Sequence, residues 1–161
     1  MEVIAIDPGT TQSAYVIFDD VTAQIKEHGK VDNVKVLDVI YLSGVKNVVI
    51  EMVASYGMPV GREVFETCVW IGRFAEAADS SEADVSYIYR QEEKLALCRD
   101  SKAKDANIRR ALIDRFAKHD LKRGTGTKDN PDWFYGFKAD IWSAYAVGVT
   151  WMDKQQKEGA A

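Results

Sequence analysis

Met1-Glu2-Val3-Ile4-Ala5-Ile6-Asp7-Pro8-Gly9-Thr10-Thr11 is the stretch on which the reading of this chain turns. The apolar run Val3–Ile6 is rich in β-branched residues, which suit a strand. It ends in Asp7, and Pro8-Gly9 at once supply a turn. The run therefore reads as a buried strand that delivers one carboxylate to the edge of a sheet. Val48-Val49-Ile50 ends in the same way, in Glu51. An unpaired carboxylate in a core costs several kcal/mol, so acids at the ends of two apolar strands fit metal ligands or catalytic acids better than core positions. The plainer roles are a cap for the Pro-Gly turn at Asp7, and a salt bridge to Arg62 or Lys46 at Glu51.

Working outward, Ser13–Phe18 and Ala23–Val31 read as strands that complete a meander with the first, separated by the Asp19-Asp20 turn. Val34–Leu42 has a helical pattern with Lys35 and Asp38 outward, and Gly44 stops it. Asn47–Glu51 is a strand buried on both faces. A loop with Tyr56, Gly57, Pro59 and Gly61 leads to a long helix, Arg62–Ala78, whose inner stripe is expected at Phe65, Cys68, Val69, Gly72 and Ala75. Val85–Tyr89 is a fifth strand. Glu92–Leu97 and Ala103–Lys118 are helices, the second with Ile108, Ala111, Leu112 and Phe116 on one face. A polar loop precedes a last helix over Phe137–Met152. The order predicts a mixed α/β sheet of five strands flanked by helices. It forms a single domain over residues 1–155 with a polar tail at 156–161, frayed from Lys154 onward.

The totals agree with that reading. The chain has 161 residues, 47% hydrophobic and 29% charged, with a net charge of −4. This suits one soluble domain with a sizeable core. The charge argues against a uniformly basic surface, although clustered acids can hide local basic patches. Cys68 and Cys98 sit in helical contexts and read as buried free thiols in a reducing compartment. No apolar run approaches the roughly 20 residues of a membrane span, and Glu2 and Asp7 interrupt anything like a signal peptide. A cytoplasmic protein is expected.

Asp7 and Glu51 need a third anionic group to hold divalent cations. Asp140, near the start of the last helix, is an acid among apolar or small neighbours, with Ser143 three residues on along the same face. A first-turn acid favoured by the helix dipole would also explain it. Asp129, Asp132 and Asp153 are rivals, each readily read as a solvated acid. Mg²⁺ takes oxygen ligands and keeps several waters, so two or three carboxylates plus a substrate phosphate suffice. Three carboxylates could hold two ions about 3.5–4 Å apart for an in-line phosphoryl displacement.

Three blocks carry a family resemblance: Ile-Ala-Ile-Asp-Pro-Gly-Thr-Thr at 4–11, Val-Val-Ile-Glu at 48–51, and Lys-Ala-Asp-Ile-Trp-Ser-Ala-Tyr-Ala-Val-Gly-Val at 138–149. In order and spacing they resemble the active-site blocks of RuvC-type Holliday-junction resolvases. The phage-encoded branch is nearest, on the segment Glu-Met-Val-Ala-Ser-Tyr-Gly-Met-Pro-Val-Gly at 51–61. The resemblance implies an RNase H-like fold and a homodimer. It also implies Mg²⁺- or Mn²⁺-dependent cleavage of two opposed strands at a four-way DNA junction, in a bacterial host cell if the chain is phage-encoded. Asp7 would bridge two ions, Glu51 would bind one, and Asp140 would complete the set. The last block departs from the bacterial pattern of a His, then an Asp three residues later, then a small-residue run. Asp140 stands where that His does, and Ser143 where the Asp does. The third acid is thus one helical turn early, and Ser143, a poor Mg²⁺ ligand, is left in a supporting place with Lys138.

Phosphate contacts need bases around the acids. Lys118, His119, Lys122, Arg123 and Lys128 cluster before the last helix, and Arg62 opens the helix after the Glu51 loop. Trp133, Phe134, Tyr135 and Phe137 could stack on unpaired bases or pack the last helix. Tyr56 could act as a wedge at the junction or pack its loop. Arg109 and Arg110, with Lys102 and Lys104, read as an ordinary exposed helix face. For the dimer, the resemblance points to the long helix after the second acid, with Phe65, Val69 and Trp70 as candidates. It does not specify whether a branch-migration motor is a partner.

Other functions share these features. Asp-Pro-Gly-Thr-Thr also resembles the phosphate hairpin of actin-type, sugar-kinase and Hsp70 ATPases, but those need two such domains, and this chain has one set of elements. A junction-binding module with a decayed site is motivated by Ser143. A broader nuclease acting on forks and flaps, or an RNA-processing relative, would use the same acids.

Overall fold

The computed structural model describes residues 1–161. Three strands form the meander, β1 (Glu2–Asp7), β2 (Gln12–Asp19) and β3 (Ile25–Asp32). They are followed by α1 (Asn33–Ser43), β4 (Asn47–Met52), α2 (Arg62–Ser80), β5 (Asp84–Tyr89), α3 (Arg90–Cys98), α4 (Asp105–Phe116) and α5 (Asp140–Gly159). The sheet order is β3-β2-β1-β4-β5. The β1/β2 and β2/β3 pairs are antiparallel, whereas β1/β4 and β4/β5 are parallel. The meander can be antiparallel because its connections are short. The later strands are reached through helices, which return the chain in the parallel sense.

Alternation along the strands sorts the core into two layers. Val3, Ala5, Val16, Phe18 and Val49 face α4 and α5. Ile4, Ile6, Tyr15, Ile17, Val48 and Ile50 face α1 and α2. The central strands are therefore apolar on both faces, whereas edge strand β3 is largely exposed and carries Lys26 and Lys30, charges that discourage edge-to-edge pairing. α1 ends at Gly44, whose φ of 67° is left-handed. No helix is long and apolar enough to cross a membrane.

Several expectations change. The inner stripe of α2 is Thr67, Ile71, Phe74, Ala77 and Ala78, while Phe65, Val69 and Gly72 are exposed. Both stripes have helical spacing, and the period alone does not say which one meets the sheet. α5 starts at Asp140 because Phe134–Phe137 form a turn, with the Phe137 N–H bonded to the Phe134 carbonyl. It continues to Gly159, so residues 154–159 are helical rather than frayed. Cys68 and Cys98 are free but only partly buried.

α5 lies unusually close to the sheet at Gly148. A Cβ there would stand 2.5 Å from Phe18 and 3.0 Å from Ala5. Alanine has the better helix propensity, but relieving the clash requires α5 or Phe18 to shift. Gly148→Ala is expected to destabilise the fold by about 1–3 kcal/mol, read as a fall of several degrees in Tm by calorimetry. An unchanged or higher Tm would show that the contact is not tight.

Candidate active site

One row of residues crosses all five strands. Ile88 of β5 faces Glu51 of β4. Glu51 lies one step beyond the Ile6–Ile50 pair of β1 and β4, which sets it beside Asp7. Asp7 faces Ala14 of β2, and Ala14 faces Lys30 of β3. Parallel pairing of β1 with β4 places both carboxyl-bearing ends at the same edge of the sheet. Asp7 shares the face of Val3 and Ala5, and Glu51 that of Val49, so both carboxyls project toward α5.

The turn after Asp7 does not use its carboxylate. The Gly9 N–H donates to Ser13 Oγ (3.0 Å), Ser13 Oγ donates to Asn33 Oδ1 (2.6 Å), and Asn33 Nδ2 donates to the Gly9 carbonyl (2.9 Å). With the turn held by this buried pair, Asp7 is free for other work. Glu51 forms no ion pair with Arg62 or Lys46. Arg62 bonds Glu66 instead, at 2.6 Å.

Asp140 reaches the site from the first turn of α5. Its Oδ2 lies 2.5 Å from Lys30 Nζ, and its charge is felt at Asp7. The residue before it, Ala139, has φ 36° and ψ −115°. That strained, left-handed backbone at a non-glycine residue is typical of sites where geometry is imposed by the surroundings. Ser143 lines a cleft of about 150 Å³ with Asp140, Arg90, Asp105 and Arg109.

Sequence reasoning missed four residues here. Glu93, in the first turn of α3, is fully buried, with Oε2 accepting from Arg90 (3.2 Å). Arg90 also pairs with Asp105. Lys30 lies on edge strand β3. Its signal was register, since only strand pairing sets it across Ala14 from Asp7. Arg109, expected on an ordinary exposed face, lines the cleft with its guanidinium 5.1 Å from the Trp142 ring. Arg110 is also no bystander, donating to the Leu121 and Lys122 carbonyls of the next loop.

The rival acids are engaged elsewhere or solvated. Asp153 forms a bidentate pair with Arg115. Asp132 accepts from the N–H groups of Lys118, His119, Asp120 and Trp133. Asp129 is exposed. Of the expected DNA contacts, Lys122, Arg123, Lys128 and Lys138 are exposed. Lys118 Nζ sits 5.2 Å over the Trp133 ring. Arg62 is exposed but tied to Glu66, and Tyr56 is 65% exposed in the loop after β4. Base stacking by the aromatics is largely overturned. Phe134 and Phe137 are buried and Trp133 stacks on Phe116 at 5.2 Å, leaving Tyr135 exposed. They pack because a helix lying flat on the sheet needs an apolar plug beside its first turns.

The electrostatics are those of crowded acids. Burial, then Glu51, raise the pKa of Asp7; burial, then Glu93, raise that of Glu51. Glu93 is pushed up to about 8, chiefly by burial and against the pull of Arg90. Burial works against the Arg90 cation, and Glu93, Glu51 and Asp105 together more than offset it. Asp7 and Glu51 still keep some exposure. Such an all-oxygen donor set, with more carboxylates than bases and one buried Glu93 oxygen lacking any partner, fits a hard divalent cation. No three of the acids stand in ready-made coordination, so holding an ion requires side-chain adjustment, including release of Asp140 from Lys30.

Raised carboxyl values mean that the folded chain holds protons the unfolded chain gives up. The stability they contribute is complete below the ordinary carboxyl range and lost as pH rises toward about 8. Without divalent cations, Tm is therefore expected to fall between about pH 4.5 and 8, and Asp7→Asn should flatten the slope. A metal-free Tm that rises through this window would contradict the arrangement.

No protein-family model matches the chain, and no curated protein matches it in sequence. Among solved structures, RuvC of Thermus thermophilus superposes with a TM-score of 0.71 at 16% identity, covering 98% of this chain and 97% of RuvC. The fold is that of RuvC. T. thermophilus RuvC in complex with Holliday junction substrate superposes with a TM-score of 0.69 at 17% identity, covering 97% and 96%. A fowlpox virus Holliday junction resolvase gives 0.49 at 13% identity, covering 96% of this chain and 99% of the other. The RuvC-like core includes every element that carries Asp7, Glu51, Glu93 and Asp140, since the match runs nearly end to end.

Proposed function

We propose that this protein is a metal-dependent, structure-selective endodeoxyribonuclease that resolves four-way DNA junctions by paired phosphodiester hydrolysis. The observation that carries the proposal is the side-by-side placement of Asp7 and Glu51 at the sheet edge, facing Asp140 at the head of α5. The RuvC fold, seen in T. thermophilus with a Holliday junction substrate, supports the choice of substrate.

Asp7, Glu51 and Asp140 would hold Mg²⁺ or Mn²⁺, as two ions per site. When bound, the ions supply an activated water and charge stabilisation at the leaving oxygen. Asp7, between Glu51 and Asp140, would serve both ions. Lys30 would move from Asp140 to a phosphate oxygen, keeping its positive charge near the scissile group. Exposed Lys138, Lys122, Arg123 and Lys128 would neutralise backbone phosphates, with Lys118 and Arg62 as further contacts and Tyr56 as the wedge. Water adds to phosphorus in line with the departing 3′ oxygen, which leaves with a proton as a hydroxyl. The product strand ends in a 5′-phosphate.

Paired cuts need two sites, so we propose a homodimer acting in the cytoplasm. Phe65 and Val69, each 63% exposed on the outer stripe of α2, are too apolar for a solvated face of a monomer and suit an isologous contact. Phe65→Glu is expected to convert a dimer to a monomer in sedimentation and to replace symmetric paired nicks by isolated ones.

The deciding experiment is cleavage of a labelled four-way junction against fork, flap and linear duplex, with Mg²⁺, Mn²⁺ or EDTA. Metal-dependent symmetric cutting of the junction alone is expected. Asp7→Asn should lower cleavage to background with junction binding retained, and Ser143→Ala should change it little. Cutting of every branched form would indicate a general debranching nuclease. Binding without metal-dependent cutting would overturn the enzyme reading.

A further inference from the structure

We propose that Glu93 is a fourth carboxylate of the cation centre, contributed by α3 in place of the acid that α5 lacks at Ser143. The proposal rests on the metal-nuclease reading above.

Glu93 is 0% exposed. Its position in the first turn of α3 follows from the chain path, because β5 passes directly into α3 at Arg90 and β5 lies beside β4 with Ile88 against Glu51. The helix therefore starts at the sheet edge that bears the two strand acids. One oxygen of Glu93 takes the Arg90 guanidinium at 3.2 Å. The other, Oε1, is buried and bonded to nothing. Proteins seldom leave such an atom unmatched without a reason.

Glu93 stands within electrostatic reach of both strand-end acids. Among charged neighbours, Glu93 has the strongest effect on Glu51, and Asp7 in turn acts on Glu93. A purely structural partnership with Arg90 does not explain the arrangement, because Arg90 already has Asp105 as an acidic partner outside the core. Arg90 and Lys30 are the bases among these acids, and a divalent cation would supply the missing positive charge while taking up the free oxygen. Ser143, on the cleft wall, is neutral, so the last block supplies one ligand, Asp140, where the family pattern it resembles supplies two, a His and an Asp.

The test is calorimetric titration of Mn²⁺ into the full chain without DNA. Glu93→Gln, an isosteric change that keeps an acceptor for Arg90, is expected to weaken Mn²⁺ binding at least about tenfold or to remove one bound ion. Asp105→Asn, which alters the other partner of Arg90, should leave it nearly unchanged. Adding Ser143→Asp to Glu93→Gln should recover binding. Glu93→Asp keeps the charge but withdraws the oxygen by one methylene, and weaker binding is expected again; it serves if the glutamine variant does not fold. Binding by both Glu93 variants equal to the parent's would overturn the proposal, as would equal losses in Glu93→Gln and Asp105→Asn. If Asp7→Asn abolishes Mn²⁺ binding while the Glu93 variants retain it, the role of Glu93 alone fails. If the parent binds no Mn²⁺, or Asp7→Asn binds it as the parent does, the metal-nuclease reading fails as well.

Discussion

Mutual repulsion among carboxylates that the fold forces together is the constraint on which the rest of the structure depends. Parallel pairing of β1 with β4 leaves Asp7 and Glu51 adjacent at one edge of the sheet. The passage from β5 into α3 brings Glu93 to the same edge, and α5 brings Asp140. In water such acids would ionise and separate. Here burial and their own proximity hold Asp7, Glu51 and Glu93 above ordinary carboxyl values. The scaffold must be rigid enough to bear that cost, since the charge is useful only if it does not relax away.

The rigidity has identifiable sources. The turn after Asp7 is closed by buried Ser13 and Asn33, so the strand end does not drift. α5 is pressed to the sheet at Gly148 and braced by Tyr145, whose hydroxyl donates to the Ala23 carbonyl at 2.8 Å and accepts from Trp133 Nε1 at 3.2 Å. Phe134, Phe137 and Trp142 fill the space beside its first turns, with Phe134 and Trp142 4.6 Å apart. Asp132 gathers four backbone N–H groups and fixes the loop that leads in. These contacts leave the strained backbone at Ala139 little room to relax, so Asp140 keeps its aim. Lys30 meets Asp140 from β3, so one of the two bases of the centre comes from the polar edge strand.

Much of this was legible in the linear order of residues. The apolar runs of β1, β2 and β4 are unambiguous because a strand buried on both faces has no polar positions to confuse the period. Asp7 and Glu51 stood out because each ends such a run. Asp140 was legible by its lone charge at the head of an apolar helix. Glu93 was not, because Arg-Gln-Glu-Glu-Lys at 90–94 reads as an ordinary solvated helix start. The stripe of α2 was misread because Phe65-Val69-Gly72 and Thr67-Ile71-Phe74 have the same spacing. The aromatic residues before α5 carried no sign of whether they meet bases or one another.

The sequence by itself determined the mixed sheet, the order of its elements and the two strand-end acids. Those features follow from local hydrophobic periodicity and from the high cost of burying an unpaired charge, both of which are written along the chain. Only the tertiary structure decided which face of each helix turns inward, that Lys30 reaches Asp140 across 110 residues, and that Glu93 lies buried beside the strand-end pair. These depend on strand register and on how α3 and α5 lie over the sheet. Register and packing arise from contacts between distant segments, and no local stretch of residues encodes them.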